Sequence, residues 1–582
     1  MWAARVVSST ILLLLPAVVL LSTDQPFGVR VALALVCGVV GGWVAPLGER
    51  DLSTRALFGV LVATSVYALG TPLLRFTDYP FSLTWSEGNH FWASSIFFGR
   101  AGGIAPGDPA VPGYVTSGFY ILLGLPFLVP GIDIQWLRLW EATLLVLPAL
   151  LFSALVFPKH SMPGSRIARW LFIAWGFLFI LQGPVYAPLL LGAALVVWSQ
   201  DRLSPRWALL STCLASLYLG LSRWFWIVGP AIWSATVKLI EAENPDRRAL
   251  PSRMVRELAP AFAAGAVGGM ASIAWTIIAE KRLPFVYLTT LRHPILKYRL
   301  FPNPTSPFGI LPWIAVTAAP AILLLIWFLA RRMVRQDPIR LGWIVFFAAS
   351  FLVIGLLASI KIGGGDNLHN LDLFLLYLVL VFGLGVRKVA SDSRLQIGAW
   401  APTGRAILLV TVLLPVLQVL RSDSAVVRLP AALAQTRLAE LRATVADADA
   451  NGPVLFIDQR QLLSFGLVNT GTTVVEYEQI ELMDRAMAED VAGLEPFYAD
   501  LQAQRFSLII SDPLPVVWRG SAFPFGEEND AWVRYVTIPI LESYEPVLKM
   551  DDVGIWLLAP KMEPELAPTA GQPGSLLEAM AA

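Results

Sequence analysis

The chain alternates long apolar blocks with short polar connectors over its first 421 residues. The blocks cover residues 8–21, 29–47, 56–74, 114–130, 137–157, 168–182, 184–198, 207–220, 222–238, 258–279, 309–330, 341–360, 370–386 and 405–421. A bilayer core needs ~20 apolar residues per crossing helix. The pattern therefore predicts an α-helical polytopic membrane protein of about 11–14 transmembrane helices over residues 1–421. The lower bound arises because several blocks are short or separated only by Gly or Pro. Beyond residue 421 the pattern changes. Amphipathic helical stretches at 426–445 and 480–492 alternate with β-type runs at 453–458, 472–477, 506–511 and 554–558. That alternation predicts a C-terminal extramembrane α/β domain over residues 422–562. Residues 563–582, rich in Pro, Gly and Ala, read as a disordered tail.

Lys and Arg in the short loops set the orientation. Basic connectors carry Lys159, Arg166 and Arg169, then Lys238, Arg247, Arg248, Arg253 and Arg256. Further basic connectors lie at 201–206, 331–340 and 387–405, and all five belong in the cytoplasm. Loops 75–113, 280–309 and 361–370 and the C-terminal domain then face the outside of the cell membrane. One conflict arises in this count. Block 114–130 must leave and return on the same side, as a re-entrant or interfacial segment, unless an N-terminal span is miscounted. Its Gly118, Gly124, Pro126 and Pro130 suit the first alternative.

Composition sharpens the class. Of 582 residues, 56% are hydrophobic and 15% charged, against about 25% charged in soluble domains. A net charge of +1 gives no footprint for a nucleic acid. The two cysteines, Cys37 and Cys213, lie inside apolar blocks and predict no disulfide framework. The first block lacks a small-residue cleavage site and reads as a retained span.

Candidate chemistry is concentrated in the three external loops. Residues 76–100 hold Asp78, Glu87, Asn89 and His90 among many aromatics. Glu87, flanked by apolar residues, suits a general base that takes a proton from an acceptor hydroxyl or amine. The competing reading is a solvated acid or a helix N-terminal charge. Asp78 in Asp-Tyr-Pro equally suits a turn. Residues 280–308 hold Lys281, Arg282, Arg292, His293, Lys297, Tyr298 and Arg299, cations fit for a phosphate or for anionic headgroups. Residues 361–370 read Lys-Ile-Gly-Gly-Gly-Asp-Asn-Leu-His-Asn. Such a glycine turn can present backbone N–H groups to an oxyanion, with Asp366, Asn367 and His369 entering the next span. The fourth histidine, His160, falls in a cytoplasmic connector. Mid-span charges are few: Arg138, Glu141 and Arg223.

Ser86-Glu87-Gly88 through Gly99-Arg100, with the Gly-Gly-Gly-Asp-Asn-Leu-His turn, resembles the GT-C superfamily of membrane glycosyltransferases. That group includes protein O-mannosyltransferases and lipid A aminoarabinose transferase-like enzymes. The resemblance covers roughly residues 56–421. It implies inverting transfer of a sugar from a polyprenyl-phosphate or -diphosphate donor to a glycan, lipid or protein acceptor. Glu87 would be the base, with Asp78 assisting. Arg292, Lys297 and Arg299 would hold the donor phosphate. Asn89, His90, His293, Asn367 and His369 would line the substrate site. Ser86 stands where the family often has Asp, so no metal ligands are assigned; a divalent metal is the one cofactor left open. Two other classes compete: a transporter or flippase for a lipid-linked or polar substrate, and a membrane anchor that displays the C-terminal domain.

Overall fold

The computed structural model describes residues 2–47, 51–102, 104–109, 111–158, 166–241, 250–281, 289–334, 336–361, 365, 367–391, 397–421, 431–471, 473–474 and 476–561. Lys159, His160, Arg247, Arg248, Arg282, Gly363, Gly364, Asp366 and the 563–582 tail lie outside the described residues. So does the side chain of Arg253.

The N-terminal part is helical. Its helices are α1 (Trp2–Ser22), α2 (Phe27–Val44), α3 (Leu52–Gly70), α4 (Glu87–Ser95), α5 (Ser117–Gly124), α6 (Ile134–Val156), α7 (Arg166–Leu181) and α8 (Ala187–Arg202). They continue as α9 (Pro205–Ser222), α10 (Gly229–Glu241), α11 (Leu250–Ile278), α12 (Thr289–Arg292), α13 (Ile310–Ala330), α14 (Pro338–Ser359), α15 (Asp372–Ser391) and α16 (Pro402–Arg421). Among the described residues nine helices are long and apolar enough to cross a membrane. Four of the predicted spans fall on shorter or more polar helices, α7 to α10. Helices α7, α8 and α10 have 16, 16 and 13 residues. They are largely buried against other helices, so protein rather than lipid covers their ends.

The conflict at 114–130 has a structural answer. The block forms the eight-residue α5 and a short 3₁₀ turn, Leu125–Leu128. Eight residues extend roughly 12 Å, far short of a ~30 Å core. Helix α5 packs on the end of α9, where Thr116 Oγ1 donates to the carbonyl of Ser222 at 2.9 Å. Connectivity then puts the described residues of 71–133, 279–309 and 360–371 on one face. The connectors bearing Arg166, Arg206, Arg256, Arg332 and Arg405 lie on the other.

Two packing features fix the bundle. Gly38 and Gly42 of α2 meet Gly59 of α3: a Cβ on Gly59 would lie 2.0 Å from the Gly38 carbonyl oxygen. Small residues at this spacing let backbones touch. Helix α15 is the axis, 89% buried over its apolar window. It is apolar all round because neighbours surround it. Its first turn therefore delivers whatever polar residues it carries to the centre of one face.

The C-terminal domain contains α17 (Ala431–Asp449), β1 (Val454–Phe456), α18 (Gln461–Ser464), β2 (Thr473–Val474), α19 (Gln479–Met487), α20 (Val491–Gln502) and β3 (Leu508–Ser511). It closes with α21 (Gly526–Trp532), α22 (Ile538–Ser543), β4 (Tyr544–Met550) and β5 (Ile555–Pro560). The sheet order is β2-β1-β3-β5-β4. Strands β1, β2 and β3 are parallel, whereas β5 runs antiparallel to β3 and β4. Four strands coincide with the predicted runs; β4, which begins at Tyr544, is additional. The predicted helix at 480–492 is two helices, because Glu489 takes a positive φ of 51° between them. Tyr79 and Phe81 of the first loop are part of this domain's core, packed with Leu438, Phe456 and Ile510.

Candidate functional site

The first loop is built around Arg138 of α6. Its guanidinium donates to the carbonyls of Thr77, Tyr79 and Phe81 at 3.0, 2.6 and 2.9 Å. It also meets Glu87 Oε1 at 3.0 Å and Oε2 at 3.1 Å. Glu87 Oε2 further accepts the Leu83 N–H at 2.6 Å. The two side chains are 0% and 4% exposed. A planar five-donor fork can organise a carboxylate and several carbonyls at once. Both Glu87 oxygens are thus engaged in holding the loop. Asp78 is exposed and makes no hydrogen bond to a described residue through its side chain.

Helix α4 then points three successive residues in three directions. Gly88 faces the C-terminal domain so closely that a Cβ would sit 1.9 Å from Gln461 Oε1. Asn89, fully buried, donates to the carbonyl of Ile457 at 3.4 Å. His90 faces the helical bundle, with ring centroids of Tyr120 and Tyr114 at 6.0 and 6.4 Å. From Tyr120 the aromatic wall continues through Phe119 (4.9 Å) to Tyr186 (6.0 Å) and Trp226 (5.7 Å).

Arg223, at the C-terminal end of α9, closes this chamber. Its guanidinium stands 4.0 Å from the Tyr186 ring centre and 5.2 Å from that of Trp226, geometry for cation–π attraction. It also acts electrostatically on His90, His369 and Asp372. Burial, reinforced by Arg223, pushes the His90 imidazole down to about 4. His90 is therefore neutral at physiological pH. Asp372 begins α15. Its Oδ1 accepts the Leu373 N–H at 2.6 Å. Its carboxylate is buried and lies near the Trp226 indole N–H.

A groove leads to this region from the side of the bundle. It encloses ≈ 720 Å³ between α3, α6, α7, α13 and α16. Its walls are apolar, with Val146, Trp313 and Val316 among them. Gln182, Asn367, Gln418 and Arg421 supply its polar positions. Arg421 stacks 4.1 Å over Phe308. Asn367 Oδ1 accepts the His369 N–H at 2.8 Å, so the groove is one residue pair from the chamber.

The C-terminal domain covers the first loop. Ser82 N–H donates to Gln459 Oε1 at 2.9 Å, and Gln461 Nε2 to the Pro80 carbonyl at 3.1 Å. Arg460 lies 4.5 Å over Trp92. Where the parallel strands end, burial and the neighbouring Asp512 raise the Asp458 carboxyl well above its usual range. Burial, partly offset by Arg460, pushes Glu478 up to about 7.

The second loop is a latch. Arg299, fully buried, meets Glu528 at 2.6 and 2.8 Å and Glu527 at 3.3 Å. Tyr298 donates to Glu527 at 2.7 Å. His293 Nε2 is 3.0 Å from the Asp484 carboxylate. This corrects the assignment of Arg299 to a donor phosphate and of His293 to substrate: carboxylates and carbonyls of the C-terminal domain occupy both. Arg292 and Lys297 are exposed, Arg292 lying 3.8 Å from Asp490.

Of the sequence-predicted residues, the structure thus brings together His90, Asn367 and His369. It sends Glu87 to a clamp and Asn89, His293 and Arg299 to the domain junction. Sequence reasoning passed over Tyr114, Tyr120, Tyr186, Trp226 and Asp372. The signal for the centre was present: Arg223 is one of three charges noted inside apolar blocks. Among the described residues no group of three or more His, Cys, Asp or Glu side chains converges to hold a metal. Compared with known proteins, the chain matches no family and no curated sequence.

Proposed function

We propose that the protein is a membrane glycosyltransferase that moves a sugar from a polyprenyl-phosphate or -diphosphate donor to an acceptor, with inversion. The observation that carries this reading is the apolar-walled groove that ends, at Asn367 and His369, beside a chamber of aromatic rings, imidazoles and one arginine. An isoprenoid chain fits the walls. A phosphate suits Arg421 at the groove and Arg223 at its inner end. The aromatic faces suit a sugar ring, in keeping with ligand sites that combine apolar lining with a few polar groups. The acceptor O–H attacks the anomeric carbon, the bond from that carbon to the phosphate oxygen breaks, and the leaving phosphate keeps the electron pair. His90 accepts the acceptor proton. It is neutral beforehand, and the negative charge of the arriving donor phosphate raises its basicity. Asp372 interacts electrostatically with Arg223. By the charge asymmetry of the connectors, the chamber and the C-terminal domain face the outside of the cell membrane.

The test uses purified protein in nanodiscs with a panel of polyprenyl-phosphate sugars. His90→Gln is expected to lower turnover ~10²–10⁴-fold, the usual share of general-base catalysis, with donor binding retained in native mass spectra. Arg223→Met should weaken donor binding itself. Bound polyprenyl phosphate with no turnover from any donor would instead point to a flippase, and no bound polyprenyl lipid would refute the reading.

A further inference from the structure

The C-terminal domain carries one surface that a domain bathed only in water has no reason to keep. Val516, Val517, Trp518 and Phe523 are 48%, 64%, 52% and 52% exposed, and they share one short loop between β3 and α21. Contiguous exposed apolar side chains of this size mark a contact surface. The loop is held out by its own hydrogen bonds. The Arg519 and Gly520 N–H groups donate to the Asp530 carboxylate at 2.7 and 2.9 Å, and Asn529 Nδ2 donates to the Val517 carbonyl at 2.8 Å.

The root of the loop fixes its height. Phe525 N–H donates to Thr305 Oγ1 at 3.0 Å, and the Arg299 guanidinium lies 5.9 Å from the Phe525 ring centre. Thr305 precedes the first residue of α13, Ile310, by only five positions. The loop therefore emerges at the level where a lipid-facing helix ends. Beside it stand Phe301 and Phe308, 57% and 46% exposed, and Phe308 also borders the lateral groove. Trp and other aromatics at such a level belong in the headgroup region of a bilayer.

We infer that the 516–523 loop is a lipid-facing wedge. It seats the C-terminal domain in the leaflet beside the groove mouth, with Val517 and Trp518 among the acyl chains and Arg519 at the headgroups. The committed partner is the phospholipid surface, not a second protein.

Nitroxide labels placed singly at 517, 518 and 547, in a Cys37→Ala/Cys213→Ser background of the full chain, test this in nanodiscs of mixed anionic and zwitterionic phospholipid. Val547 is an equally exposed valine on strand β4, 54% exposed. At 517 and 518 the label should collide more with oxygen than with a water-soluble nickel chelate, and at 547 the preference should reverse. Labels at 517 and 518 that behave like 547 would overturn the proposal. Labels shielded from both reagents would also overturn it, since that pattern means a protein covers the loop. The readout needs no turnover, so it stands apart from the proposed reaction.

Discussion

Replacing Glu87 by Gln separates the two roles this residue can have. The change keeps the shape and removes the charge. Arg138 is then left with its side chain 0% exposed, three carbonyl acceptors and no hydrogen-bonded carboxylate, Glu141 acting on it only through space. Breaking a buried pair by removing one partner costs about 3–5 kcal/mol. The retained carbonyls and the near-isosteric amide place this case at the low end, about 3 kcal/mol. The loss falls on the segment that Arg138 gathers, residues 77–87, and above all on the Leu83 amide that Glu87 itself accepts. At 1.4 kcal/mol per decade, exchange of that amide with deuterium should speed up roughly 10²-fold, as read by mass spectrometry of peptides spanning 80–91. A Glu87→Gln/Arg138→Met double variant removes the stranded charge as well and should recover part of the protection, a positive coupling in a double-mutant cycle. Unchanged exchange in Glu87→Gln, together with abolished sugar transfer, would refute the clamp and restore Glu87 as the base.

Three further outcomes follow from the same geometry. Glu478 titrates at about 7 against an ordinary 4.5; a raised carboxyl stabilises the fold below the unfolded value and loses that contribution as pH rises through the folded one. Glu478→Gln should therefore flatten the pH dependence of thermal unfolding, gaining up to ~3 kcal/mol on wild type between pH 5 and pH 8. Arg299→Met strands Glu527 and Glu528 at the latch; the C-terminal domain should become sensitive to protease at its junction with the 292–306 loop while the helical bundle stays intact. Gly88→Ala sets a methyl into Gln461 Oε1 and should cost about 1–3 kcal/mol, with Gln461→Ala restoring most of the loss in the same thermal assay.

The architecture was legible because its determinants are local. Apolar blocks, turn residues and the shift from helical to mixed periodicity at about residue 421 write the bundle and the α/β domain directly. Block 114–130 left two readings open because hydropathy reports composition and not depth; the packing of α5 on the end of α9 favours the one that stays at one face. The candidate site was half legible. His90, Asn367 and His369 stand in polar loops, where unusual residues catch the eye. Asp372, Tyr114, Tyr120, Tyr186 and Trp226 sit in apolar or aromatic stretches that give no local mark of a site. Their convergence depends on contacts between residues as far apart in sequence as Phe119 and Tyr186 or Arg223 and Asp372, which no local pattern encodes.

Charged residues in an apolar setting divide by what surrounds them, and that division argues for where chemistry sits. Arg138 and Arg299 are each bonded to buried carboxylates and to carbonyls, so low dielectric makes them strong fasteners. Removing either should unfold something before it slows anything. Arg223 stands instead among ring faces, with two imidazoles and a carboxylate as its electrostatic neighbours. Ring faces attract a cation electrostatically, and an anionic group entering the chamber would meet that positive charge in a low-dielectric setting. The expected signature is an Arg223→Met variant that loses donor affinity while keeping wild-type thermal stability. A variant that binds donor normally but melts early would place Arg223 with the fasteners and move the anion site toward Arg421.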